Sequence, residues 1–222
     1  MSVELVLAGE RIVLRADRSL HWPAERTLVV ADLHFGKADA FRADSVPIPG
    51  DAAQTLARLD EALTQTGAAR LIVLGDFWHV REGRTERLLH ELERWRALHP
   101  ELTIELVRGN HDRAGAPPVG WADDWQTLTL LNPPFCFRHH PEPSIDGYVL
   151  AGHLHPGIHL AGRGRERFRL PCFWFAANVG VLPAFGAMTG MAEVVAAAGD
   201  RVYAIAETSV ISIPTTPAEP SG

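Results

Sequence analysis

Thiols are almost missing from this chain: Cys136 and Cys172 are the only cysteines in 222 residues, and they form no CxxC motif. That excludes a disulfide framework and offers no thiolate cage for a metal. The two sulfurs suit a reducing cytoplasm, where free cysteine serves as a small apolar residue. A basic surplus is also absent, with 21 lysines and arginines against 27 acidic residues and a formal charge of −6. The average charge therefore does not point to nucleic acid, although a metal pair can supply positive potential locally. The first residues, Met1-Ser2-Val3-Glu4, lack the basic-then-apolar pattern of a secretory signal. The charge-free run from Leu170 to Ala192 holds Pro171, Asn178, Pro183 and several glycines. It reads as buried strands and loops, so no membrane partner is expected.

What the chain does have is core material. Its hydrophobic content is 46%, enough for one sizeable domain, expected over residues 1–212 with a disordered tail at 213–222. Arg11 to Arg15 and Thr27 to Ala31 read as strands, the second as an apolar run covered on both faces. A polar loop is expected from Asp32 to Gly50, then a helix from Asp51 to Thr66 with Leu56, Leu59 and Leu63 on one side. Arg70 to Leu74 is a strand, Thr85 to Leu98 a helix, and Leu102 to Val107 a strand. This β-α-β-α-β order implies a mostly parallel sheet with helices on its faces. Further on, Gly, Pro and Asn separate short strand-like pieces: Thr127–Leu131, Phe135–Arg138, Tyr148–Ala151, Arg167–Leu170, Cys172–Ala176, Ala192–Ala196 and Val202–Ala206. They suggest a second, mostly antiparallel sheet packed on the first.

Five polar motifs stand where loops leave apolar strands. They are Asp32-Leu33-His34, Gly75-Asp76-Phe77-Trp78-His79, Gly109-Asn110-His111-Asp112, His139-His140-Pro141 and Gly152-His153-Leu154-His155. Parallel strands bring their C-terminal ends to one edge, where open α/β sheets bind ligands. Carboxylate, imidazole and amide oxygen suit a pair of divalent cations, Mn first and Fe, Zn, Ni or Co as alternatives. A bridging carboxylate is needed to hold two such cations close together, and Asp76 is the natural candidate.

The series DxH, GDxxH, GNHD, His and GHxH resembles the calcineurin-like metallophosphoesterases. The resemblance implies an α/β (α+β) fold, a four-layer sandwich of two mixed β-sheets flanked by helices, and an enzyme that hydrolyses phosphate esters at two metals. It also implies a ligand set. Asp32, His34, Asp76 and His155 would hold the first metal, and Asp76, Asn110, His139 and His153 the second. His111 would contact the phosphate and act as the catalytic acid. The ligand in the His139-His140 pair is expected to be His139, because His-x-Pro is the usual form of that motif; His140 is the alternative. One departure matters: His79, Val80 and Arg81 replace the DRG of the protein phosphatase branch, and Asp112 replaces its glutamate. That disfavours a protein phosphatase and puts His79 where a carboxylate would orient the catalytic histidine.

Two further stretches narrow the resemblance: Ala31 to Lys37 with Pro47-Ile48-Pro49-Gly50, and Pro171 to Trp174 with Leu182 to Gly186 and Thr189-Gly190. They look like the ligase-associated DNA damage response endonuclease family of bacterial phosphoesterases. This implies a DNA substrate, phosphodiester cleavage in repair, a cytoplasmic setting, and DNA ligase and helicase-like proteins as partners. Arg163, Arg165, Arg167 and Arg169 alternate around a Gly-bearing segment and form a candidate phosphate-binding hairpin, with Glu166 also allowing an ordinary exposed one. Arg81, Arg84 and Arg87 form a second cluster, of which Arg84 and Arg87 read rather as the solvated face of a helix with Glu86 and Glu91. Phe77 and Trp78 either stack a base or pack the loop. Two other functions compete with the nuclease: a phosphodiesterase for nucleotides or other small esters, and a non-enzymatic scaffold with degraded ligands. Every ligand position is filled by the expected residue type, which argues against the scaffold.

Overall fold

The computed structural model describes residues 1–43, 52–126, 128–161, 167–186 and 189–215. Seven strands form a first sheet in sequence order: β1 (Val3–Leu7), β2 (Glu10–Leu14), β3 (Leu20–Trp22), β4 (Thr27–Val30), β5 (Arg70–Leu74), β6 (Thr103–Val107) and β7 (Asp124–Gln126). β1 to β4 are joined antiparallel, and β4 to β7 run parallel. A second sheet holds β8 (Thr129–Asn132), β9 (Phe135–Arg138), β10 (Tyr148–Ala151), β11 (Pro156–Ala161), β12 (Arg167–Phe175), β13 (Val179–Val181), β14 (Ala192–Glu193), β15 (Arg201–Ala206) and β16 (Ser209–Ile213). It is mixed: β11-β12, β12-β13, β12-β15, β15-β16 and β8-β9 pair antiparallel, as expected for most of it, while β10 pairs parallel with both β9 and β13, and β11 with β14.

The strict alternation of β4 to β6 makes the layers. Leu28, Val30, Leu71, Val73, Ile104 and Leu106 face one way, against Leu56, Leu59 and Leu63 of α2 (Ala52–Thr66) and Leu88, Leu92 and Trp95 of α3 (Glu86–Leu98). Val29, Ile72, Leu74 and Val107 face the other way, into a core shared with Phe135, Phe137, Leu150, Phe173 and Phe175 of the second sheet. Each leucine buried in either core contributes about 1.5–3 kcal/mol relative to exposure. α3 starts at Thr85, whose side chain accepts from the Leu88 N–H at 3.2 Å. α2 and α3 are joined by Trp95 Nε1 donating to Asp60. The two mixed sheets with helices on the first are the metallophosphoesterase-type sandwich of the α/β class.

Several local expectations change. The loop expected after Asp32 holds a short helix, α1 (Lys37–Ala43), which begins where the Ala40 N–H reaches the Gly36 carbonyl at 2.9 Å; residues 44–51 lie outside the described set. The two strands expected on either side of Pro171 are one, β12. Pro171 is tolerated because it closes the pairing with β11, after which Cys172 to Phe175 pair with β15. The strand expected at 127–131 is β8, Thr129–Asn132, with residue 127 outside the described set; β7, just before it, is unexpected and belongs to the first sheet. Only Ala192–Glu193 of the expected 192–196 strand pairs. β16 extends to Ile213, into the start of the expected tail, and residues 216–222 are not described. Cys136 and Cys172 are both buried and unpaired, and burial pushes the Cys172 thiol up to about 12. No helix among the described residues is long and apolar enough to cross a membrane.

Candidate metal centre

The parallel run β4-β5-β6 releases Asp32, Asp76 and Asn110 at one sheet edge, and the parallel pair β9-β10 releases His139 and His153. Backbone bonds continue the pairing past the strands. Asp32 N–H donates to Gly75 O at 3.2 Å, His34 N–H to Asp76 O at 2.8 Å, and Gly152 N–H to His139 O at 3.1 Å. The segment after β13 closes on the same edge, with Phe185 N–H on Ala31 O at 2.7 Å and Gly186 N–H on Asp32 O at 3.0 Å.

The chain must turn sharply to aim side chains inward. Asp32, His34, Asp76, His153 and His155 all have positive φ, at 54°, 49°, 48°, 69° and 47°. For residues with a Cβ this left-handed conformation costs about 1–2 kcal/mol each, and such strain concentrates at functional sites. Gly109 makes the approach possible, since a Cβ there would collide with the Asp76 carboxylate and backbone nitrogen.

Backbone carbonyls fix the ring nitrogens. His139 Nδ1 donates to Leu74 O at 2.9 Å, His155 Nδ1 to Gly190 O at 3.0 Å, and His111 Nδ1 to His79 O at 2.7 Å. A carbonyl only accepts, so each neutral ring carries its proton on Nδ1 and turns the Nε2 lone pair into the cluster. This is the outer hydrogen bond that orients a metal-binding imidazole. His139 Nε2 meets Asn110 Oδ1 at 2.9 Å and His153 Nδ1 at 3.2 Å; His155 Nε2 meets His34 Nε2 at 3.2 Å. The Asp76 carboxylate lies between: Oδ1 is 3.4 Å from His139 Nε2, and Oδ2 is 3.8 Å from His34 Nε2 and 4.0 Å from His111 Nε2. Asp32 Oδ1 is 3.6 Å from His155 Nε2 and 3.7 Å from His139 Nδ1.

Burial sets the protonation. It drives the His34 imidazole down to about 2 and the His139 imidazole down to about 4, so both stay neutral and ready to donate electron pairs. Burial also raises the Asp76 carboxyl against the opposing His111 N–H bond. His155 behaves differently. Burial lowers it, but the hydrogen bond and charge of Asp32, with the Gly190 carbonyl, outweigh that and leave it raised. The donor set fits a cation in another way too. His34 Nδ1 is buried with no hydrogen-bond partner, and donor atoms of Asp32, His34 and His155, of Asp32, Asp76 and His139, of His34, His79 and His111, and of His139, His140 and His153 each lie within 4.8 Å of one another. Inward-facing oxygen and imidazole donors, with two buried carboxylates, are what a pair of borderline divalent cations requires.

Some residues singled out in the sequence sit at the rim of the cluster, and others lie outside it. His139 is buried and central, whereas His140 is exposed and packs against His153 with ring centroids 4.3 Å apart and planes tilted by 59°. His79 lies parallel to His111, centroids 5.7 Å apart, and holds it through the backbone carbonyl rather than the side chain; burial lowers its imidazole to about 4. Phe77 and Trp78 are core residues. Arg84 covers the Trp78 ring at 4.5 Å, and Arg87 pairs with Asp39 and Glu91, so neither reaches into the centre. Arg163 and Arg165 lie outside the described residues, and Arg167 is the first residue of β12.

In the sequence Asp112 is only the last letter of its motif, yet in the fold it is fully buried and accepts from Trp78 N–H at 3.1 Å and Gly109 N–H at 2.8 Å. Burial raises its carboxyl to about 6. It pins the second motif to the third. Its sequence neighbours, Asn110, His111 and Arg113, are polar, so nothing in the sequence signals this burial.

A strand-end cluster of this kind, on a two-sheet sandwich, defines a metallophosphoesterase, and the chain belongs to the calcineurin-like phosphoesterase family, whose model matches residues 25–171. Among solved structures, the nuclease MPE of Pseudomonas putida is 39% identical, with 96% of this chain and 100% of that one covered and a TM-score of 0.85. Yfce, a phosphoesterase from E. coli, is 16% identical over 84% of this chain and 97% of that one, at a TM-score of 0.42. No curated protein matches. The chain is thus a phosphoester hydrolase of a metal-using family.

Proposed function

We propose that the protein is a DNA endonuclease that cleaves phosphodiester bonds at a pair of divalent metals, manganese foremost. The observation that carries this reading is the likeness to a nuclease along nearly the whole chain, joined to a cluster whose every donor faces inward. Asp32, His34, Asp76 and His155 would hold one cation, and Asp76, Asn110, His139 and His153 the other, with Asp76 as the bridge. When bound, such a pair supplies Lewis acidity to a phosphoryl oxygen and a water of lowered pKa.

The chain's own groups do the rest. His111 is held at Nδ1 by the His79 carbonyl, so its Nε2 faces the cluster, 4.0 Å from Asp76 Oδ2, where the protonated ring would donate Nε2–H to a phosphoryl or leaving oxygen. The Asp76 Oδ1 that accepts the His111 backbone N–H at 2.9 Å fixes that residue relative to the bridge. Asn110 gives a neutral ligand, which leaves its cation electrophilic. The motif stretches at 31–37 and 171–190 support a repair setting in the cytoplasm, with DNA ligase and helicase-like proteins as partners.

The test is nicking of supercoiled plasmid with Mn²⁺, beside a chromogenic diester, a monoester and a chelated control. Nicking that needs metal supports the reading. Diester hydrolysis without nicking would transfer it to small phosphodiesters, and monoester-only activity would end it.

A further inference from the structure

The described cavities differ in their charge. A cleft of about 750 Å³ beside Arg15, Arg18 and Arg58 also carries Asp17, Glu61 and Glu207. The two smaller hollows near Trp121 and Leu102 include Glu93 and Glu101. A groove of about 400 Å³ is different: Arg108, Gly109, Asn110, Arg113, Leu128 and His140 line it, and none of these is a carboxylate. It opens directly against Asn110, one of the donors at the candidate centre.

Both arginines ride on the loop that builds the centre. Arg108 follows the last residue of β6, and Arg113 lies in the 3₁₀ turn His111–Ala114. Both are exposed, and among the described residues neither has a hydrogen bond or carboxylate partner. Their neighbours contrast with them: Arg84, Arg87 and Arg96 are all engaged by the protein itself. Two unengaged guanidiniums in one groove, on a chain of net charge −6, make a local site for an anion. Arginine's planar fork suits phosphate oxygens. Leu128, 76% exposed at the same groove, adds an apolar surface on which a sugar or base edge can rest.

A small phosphate ester would be accommodated at the metal centre alone and would leave this groove unused. A polynucleotide continues past the scissile bond, and its next phosphate needs a cation. We propose that the groove holds a phosphate flanking the scissile one, so that the DNA strand leaves the centre past Asn110, with Arg108 and Arg113 as positioning residues. This rests on the nuclease reading above and gives it a direction along the strand.

The test compares the wild type with an Arg108→Ala/Arg113→Ala double variant in Mn²⁺, on a single-stranded oligonucleotide and on bis(p-nitrophenyl) phosphate. The expected result is a rise of about tenfold or more in the oligonucleotide KM with little change in kcat, so the oligonucleotide-to-diester ratio of kcat/KM falls by the same factor. The slope of log KM against log salt should flatten by about 1.4, at about 0.7 for each arginine that no longer neutralises a single-strand phosphate. Arg108→Lys/Arg113→Lys should recover the salt slope and part of the affinity, since lysine keeps the charge but not the fork. Arg94→Ala, a charge removed from the exposed side of α3, serves as the control for net charge. An unchanged oligonucleotide KM and salt slope would overturn the groove alone, as would an equal loss on both substrates or no recovery with lysine. A wild type that hydrolyses the small diester but no oligonucleotide would overturn the nuclease reading and the groove with it.

Discussion

The backbone N–H of His153 donates to both carboxylate oxygens of Asp32, at 3.1 and 3.0 Å, across 121 positions of sequence. One carboxylate thus holds the fifth motif in place while its own backbone is held by the second, through Gly75 O. Motifs that look independent in the sequence are mechanically one object.

Asp76 tests the proposed bridge. Asp76→Asn keeps the shape but removes the charge that would lie between two cations. The expected outcome is loss of turnover to near background together with less bound metal, read by elemental analysis after gel filtration and by plasmid nicking. Full metal content with full activity would refute the bridge.

His111 tests the separation of chemistry from assembly. Its side chain is held by the His79 carbonyl, outside the seven proposed ligands. His111→Ala should lower kcat by about 10²–10⁴-fold, the usual worth of a positioned acid, while metal content stays at the wild-type level.

Strain at the ligands makes an unusual prediction about stability. At His153, with φ of 69°, glycine should be better than alanine. His153→Gly is expected to exceed His153→Ala in unfolding free energy by about 1 kcal/mol, measured by urea titration with metal chelated. At an ordinary φ the order would be reversed.

Acidity should act through His155. A metal needs the neutral imidazole, and this ring's pKa is raised above 6.5 in the metal-free protein. Protons therefore compete with the metal as pH falls through the neutral range, and affinity should drop from pH 8 to pH 6, by up to about tenfold per unit below that pKa. His34 and His139 add nothing there, since burial holds them near 2 and 4. Calorimetric Mn²⁺ titrations at pH 8, 7 and 6 would check it; a flat affinity would contradict the assignment.

Asp112 should matter for folding more than for ligation. Asp112→Ala leaves the Trp78 and Gly109 N–H groups buried without acceptors, at about 1–3 kcal/mol for each. A clear fall in Tm of the metal-free protein is expected, and an unchanged Tm would show that water replaces the carboxylate.

The metal motifs are legible in the sequence because the chemistry has letters: aspartate, histidine and asparagine after apolar strands leave few alternatives. The strands β4, β5 and β6 are legible too, β4 and β5 as short runs of Leu, Ile and Val and β6 as the same residue types broken only by Glu105. Less can be read where the backbone itself acts. The carbonyls of Leu74, His79 and Gly190 that orient three imidazoles have no signature in residue type. β1 is a short strand at the sheet edge, β3 is only three residues long, and α1 is concealed in a glycine-marked polar stretch. Arg108 and Arg113 form no cluster along the sequence, unlike the alternating arginines at 163–169; a turn of the backbone brings these two to one groove.

The candidate ligands are divided between the two sheets, Asp32, His34, Asp76 and Asn110 on loops of the first and His139, His153 and His155 on loops of the second. Neither half of the chain owns a complete chelator. A polypeptide severed between β7 and β8 would yield two silent fragments, each with an incomplete set of donors, and activity would return only on their reunion. The centre is in that sense a lock that engages when the sandwich shuts, and hydrolysis becomes a built-in report on whether the protein has finished folding.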